Sequence, residues 1–152
     1  MCGIIRYRSK QLSEKIVAML SFDMLGYYTD RPGSQAYPVP MGNLYRDRGN
    51  FLAFISNLQS RDLLRSRIRS FRKSATIPSE ALALPELIKD IGRSDHASFW
   101  KAGYPAILVT DTASFRNPNY HQSSDRISTL DFDRFTRAVD GIATIVEDLA
   151  NS

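Results

Sequence analysis

Residues 94–125, SDHASFWKAGYPAILVTDTASFRNPNYHQSSD, constrain the fold of this 152-residue chain more than any other stretch. Ser94 is a good N-cap for a short helix running to Ala102, and Gly103 is a good residue to stop it. The chain then enters an apolar run, residues 104–110 (YPAILVT), which has the length of a buried strand. A loop containing Asn117, Pro118 and Asn119 takes it out again. A buried strand fed by a helix belongs in a sheet with helices packed against it, which points to an α/β fold.

The remaining chain alternates in the same way. Residues 16–24 (IVAMLSFDM) are short and apolar and are followed by Gly26, so they read as a buried strand with Asp23 near its C-terminal end. Residues 26–50 hold Pro32, Pro38, Pro40 and four glycines, a long loop of the kind that is functional or mobile. Residues 51–57 form a second strand, residues 61–75 a helix and residues 81–84 a short strand before Pro85. Thr129 is read as the cap of a last helix over residues 130–149, with Phe132, Phe135, Val139, Ile142 and Val146 at helical spacing and expected to pack on the sheet. The expected architecture is a three-layer α/β sandwich around a mixed, mostly parallel sheet, in a single domain over residues 1–152.

Composition closes off several classes of function. With 43% hydrophobic residues the chain can bury a core, but its longest apolar runs are far too short to span a bilayer. The N-terminal MCGIIRYRSK lacks the extended apolar region of a signal peptide, so a cytoplasmic location is expected. Cys2 is the only cysteine, which excludes an internal disulfide and a cysteine-rich zinc site. The net charge of +4 owes much to RDLLRSRIRSFRK, where Arg61, Arg65, Arg67, Arg69, Arg72 and Lys73 surround Leu64, Ile68 and Phe71. That is an amphipathic helix with a solvated basic face. It lacks aromatic interleaving and any nucleic-acid motif, so no nucleic-acid or membrane partner is expected.

Chemistry concentrates in few residues. The two histidines, His96 and His121, both fall in the 94–125 segment, one after Asp95 and the other after Tyr120. Asp23 in SFDMLGYY, the SDHASFWKAGYPAILVTDT stretch and the ending NYHQSSD together resemble the C-terminal half of the M28 family of zinc aminopeptidases. The resemblance implies two zinc ions at the C-terminal strand ends, with Asp23 and His121 in metal-ligand positions. It places Tyr120 where some members hydrogen-bond the tetrahedral intermediate. Asp95 then reads as a carboxylate able to orient an imidazole, and Asp125 as one that fixes the loop after His121. His96 is expected to satisfy local hydrogen bonds, and Phe99 and Trp100 to be core contacts of the short helix or a pocket wall.

The family's His-x-Asp and Glu-Glu motifs are absent; the only adjacent acidic pair, Glu147-Asp148, lies late on the last helix. The general base, the bridging aspartate and one ligand to each metal therefore have no counterpart. A zinc site needs three or four protein ligands, so zinc is expected to be absent or weakly bound. Three readings follow: an incomplete and inactive peptidase-like domain, which is preferred; one half of a split peptidase completed by another chain; or a non-catalytic binding module. The start Met1-Cys2-Gly3-Ile4 also resembles that of class II, N-terminal-cysteine amidotransferases, although none of that family's glutamine-holding motifs follows. A peptide is the expected substrate of a completed site. A homo-oligomer is expected, with the first strand near the contact, because a half-domain leaves a sheet edge unpaired.

Overall fold

The computed structural model describes residues 15–38 and 45–151. Cys2, on which the amidotransferase reading rests, lies outside them. Four strands form one mixed sheet: β1 (Met19–Phe22), β2 (Leu52–Asn57), β3 (Ser79–Leu84) and β4 (Ala106–Thr110), in the order β1-β4-β2-β3. β1 pairs parallel with β4 and β2 parallel with β3, while β2 and β4 run antiparallel. Three helices cover the sheet: α1 (Arg61–Ser74), α2 (His96–Lys101) and α3 (Phe132–Ala150).

The side chains of β2 and β4 sort to two faces, as strand geometry requires. Leu52, Phe54, Ile107 and Val109 meet Leu64, Ile68 and Phe71 of α1 and Ala138, Ile142 and Ile145 of α3. The Phe54 and Phe71 rings meet edge-on at 4.9 Å. On the opposite face Ala106 joins Ile91, Phe99 and Trp100, with Met19, Ile55 and Leu84 packed around them. Helices therefore lie on both sides of the sheet, giving the three layers expected from the sequence.

Helix α1 places its apolar residues where the spacing put them, with Leu64, Ile68 and Phe71 buried and its arginines outward. Ser60 stands at its N-cap position without capping it, because its hydroxyl accepts from the Ala106 amide of β4 at 3.1 Å. Three local expectations are corrected. Ser94 does not cap α2, whose N-cap position is Asp95; the Ser94 hydroxyl is engaged instead with that of Ser21 in β1, at 3.0 Å. Thr129 does not cap α3: it sits in a 3-10 turn and donates to the Arg126 carbonyl, while the Asp131 carboxylate accepts from the Arg134 amide.

The third correction concerns which face of α3 is inside. Phe132, Val139 and Val146 stand 52%, 43% and 46% exposed, and the buried residues are Ala138, Gly141, Ile142 and Ile145. The helix turns its small residues inward because α1 comes very close. A Cβ added at Gly141 would lie 2.4 Å from Phe71 Cε2 and 2.7 Å from the Ala75 Cβ.

Candidate active site

The site grows from the ends of β1 and β4. Past Phe22, the Asp23 amide still donates to the Val109 carbonyl at 3.2 Å, so the last ladder bond of the parallel pair holds the residue in place. Met24 then takes a left-handed φ of 61°, and its carbonyl accepts from the Asp111 amide at 2.6 Å. Asp23 is left exposed at the rim.

β4 ends in a tighter construction. Thr112 and Ala113 both take positive φ, 76° and 46°, which non-glycine residues adopt only when held there. The restraints are side chains: the Thr110 hydroxyl accepts from the Thr112 amide and the Asp111 carboxylate from the Ala113 amide, each at 3.0 Å. Asp111 is buried, also accepts from the Tyr27 amide at 2.8 Å, and its pKa is pushed up by burial.

Beside it lies Arg116, equally buried. Its Nε donates to Gln35 Oε1 at 2.9 Å and its Nη1 to the Phe51 carbonyl at 2.9 Å, with the guanidinium 4.6 Å from the Phe51 ring centre. Burial lowers its pKa to about 10. Gly49 makes room for it, since a Cβ there would fall 2.6 Å from Arg116 Cδ.

The loop beyond carries the predicted pair. The Asn117 side chain accepts from the Asn119 amide at 2.9 Å, closing a turn, and His121 adopts a left-handed φ of 59°. The Tyr120 and His121 rings stack at 3.9 Å with 18° between their planes. Tyr120 and Asp23 line one cavity of about 120 Å³, whose apolar walls include Phe51, Ile55 and Leu108. Tyr37 lines it too, its phenol pushed up to about 12 by burial and the nearby Glu80.

Asp23 also borders a polar cleft of about 580 Å³ lined by Ser21, Ser94, Asp95 and Lys101. The predicted residues thus fall into an arrangement with Asp23 at its centre. Tyr120 is on its apolar side, with His121 stacked on that ring, and Asp95 is on its polar side. Asp125 lies apart, exposed, lining a groove with Phe22, Ile127 and Phe135. His96 is fully buried. Its Nε2 sits 2.6 Å from the Ile91 carbonyl, and burial lowers its pKa.

Sequence reasoning missed Asp111, Gln35 and Arg116, the groups that hold the strand-end loop. Nothing in TDT or SFRNP separates a buried Asp or Arg from an exposed one. Among the described residues no three His, Cys, Asp or Glu side chains stand close enough together to hold a metal ion. Their arrangement does not fit a resident zinc.

Residues 4–146 match the model of Peptidase family M28. The chain is 35% identical over 136 residues to the uncharacterized protein YfbL of Escherichia coli (strain K12), covering 89% of this chain and 42% of that protein. It is 26% identical over 145 residues to leucine aminopeptidase 1 of Trichophyton equinum, covering 93% of this chain and 34% of that protein. Its fold is similar to that of the LapA aminopeptidase of Legionella pneumophila, with a TM-score of 0.65 and 19% identity over 99% of this chain and 36% of LapA. The chain spans less than half the length of each of these relatives.

Proposed function

Because this chain belongs to peptidase family M28, we propose that it is an aminopeptidase-type domain whose Asp23 and Tyr120 receive the first residue of a peptide, and that by itself it does not turn one over. The observation that carries this reading is the shared cavity wall of Asp23 and Tyr120 with His121 stacked on the tyrosine. The apolar walls suit a side chain such as leucine. The Asp23 carboxylate can accept from a peptide's terminal ammonium, and the Tyr120 hydroxyl can donate to a carbonyl oxygen that gains negative charge.

The family is zinc-dependent, but hydrolysis by a metal site needs several ligands held at once and a base for the water. The described residues supply neither. One length comparison favours a second reading, that this is one part of a peptidase completed by another polypeptide: the chain covers 42% of YfbL and 36% of LapA.

Two measurements test the proposal. Leucinamide added to the labelled chain should shift NMR resonances of Tyr120 and of the Asp23 backbone; shifts confined to other residues would remove the site. Zinc titrated into the chain should bind more weakly than about 1 µM, with no release of nitroaniline from leucine p-nitroanilide. Stoichiometric tight zinc, with turnover abolished by His121→Ala, would instead make the chain a complete enzyme.

A further inference from the structure

Exposed apolar side chains gather on one side of the molecule, the side where the sheet ends. β1 is an edge strand, and among the described residues nothing pairs with its outer side. Its ladder with β4 is bracketed by bonds from the Met19 amide to the Pro105 carbonyl at 2.9 Å and from the Asp23 amide to the Val109 carbonyl. Pairing alternates along a strand, so the N–H and C=O of Leu20 and Phe22 point away from β4. Phe22 is exposed, as is Ile127, and both line a groove with Leu130 and Phe135 of about 560 Å³. Phe135 continues into the exposed stripe of α3 formed by Phe132, Val139 and Val146. The Asn117 side chain lines the same groove, and its buried Nδ2 has no partner within the molecule.

We propose that this face binds a second copy of the same chain in a two-fold homodimer, with β1 pairing antiparallel to its equivalent and α3 packing against its own symmetry mate. A two-fold axis at Ser21 sets Leu20 of one copy opposite Phe22 of the other, and these are the residues whose backbone groups face outward. The result is a continuous eight-stranded sheet. The same axis brings the two α3 helices together antiparallel, apolar stripe to apolar stripe.

The charges of α3 agree with that direction. Asp140, Glu147 and Asp148 lie in its C-terminal half with no basic residue in the last turn, while Arg134 and Arg137 lie near its N-terminus. Antiparallel packing lays the acidic end of each helix beside the positive dipole end and the arginines of the other. The β3 edge offers no such match, since Pro78 and Pro85 flank the strand and the Glu80 carboxylate pairs with Arg46.

Light scattering on the full chain tests this. A dimer is expected at about 100 µM. Val139→Glu, at an exposed position that leaves the fold intact by circular dichroism, should raise its dissociation constant about a hundredfold. Phe22→Pro should do the same through the backbone, because the amide it removes makes no bond to β4. Leu87→Glu, at a side chain 93% exposed and away from this face, should change nothing. A monomer at that concentration would overturn the proposal. So would a dimer indifferent to both Val139→Glu and Phe22→Pro, or one equally sensitive to Leu87→Glu.

Discussion

His96 lets burial of a single residue be measured as a pH effect. Its imidazole meets the Trp100 indole edge-on at 4.4 Å and is fully enclosed, and burial holds its pKa below the ordinary 6.5. The unfolded chain therefore takes up a proton at a higher pH than the folded one. This contribution to stability is complete above about pH 6.5 and is lost as the pH falls toward the folded-state value, with a slope of at most about 1.4 kcal/mol per pH unit. Urea unfolding of the wild type should weaken on going from about pH 7 to about pH 5. His96→Gln, less stable at neutral pH, should show a shallower decline, and equal slopes in the two proteins would refute the assignment. At this scale the sequence was readable where chemistry follows local position. Asp23 at a strand end and His96 in a local hydrogen bond could both be foreseen. Asp111 could not, because its burial comes from the loop around Tyr27, which folds over it from the other end of the chain and donates to it.

Between elements, the contact of α1 with α3 turns on Gly141. Alanine should favour the helix by about 1 kcal/mol, but its Cβ would be driven into Phe71 and Ala75, a clash that typically costs 1–3 kcal/mol. Phe71 is wholly buried and has little room to yield. Gly141→Ala should therefore lower stability by about 1–2 kcal/mol, seen as a fall in melting temperature. A rise would mean that the helices can move apart. The existence and extent of α3 were legible in its periodicity, but its rotation was not. Hydrophobic spacing picks out the large residues, Phe132, Val139 and Val146, whereas a close helix crossing is made by small ones, which leave little trace in hydropathy. The caps failed for a related reason: Ser94 and Thr129 are suitable capping residues, yet each hydroxyl is taken by another partner, Ser21 in one case and Arg126 in the other.

For the whole molecule, Arg116 ties distant segments together: the loop through Gln35, the entry to β2 at Phe51 and the loop after β4. Arg116→Met keeps much of its volume and leaves those acceptors buried and unpaired. It should destabilise by about 3 kcal/mol or more, measurable in urea. A loss below about 0.5 kcal/mol would mean that water takes its place. The layers and the mixed sheet were legible because a mixture of buried strands and amphipathic helices has few ways to pack. The strand order was not, since nothing local tells β4 to insert between β1 and β2. That insertion also sets a timetable. Met19 faces Ala106 in the finished sheet, and β4 is the last of the four strands to be synthesised. At about 5–20 residues per second, β1 leaves the ribosome roughly ten seconds before the strand it is meant to join. Through that interval the segment MLSF has no native neighbour in the sheet, so a translating ribosome carries it as a ligand for chaperones until β4 emerges and closes the sheet around itself.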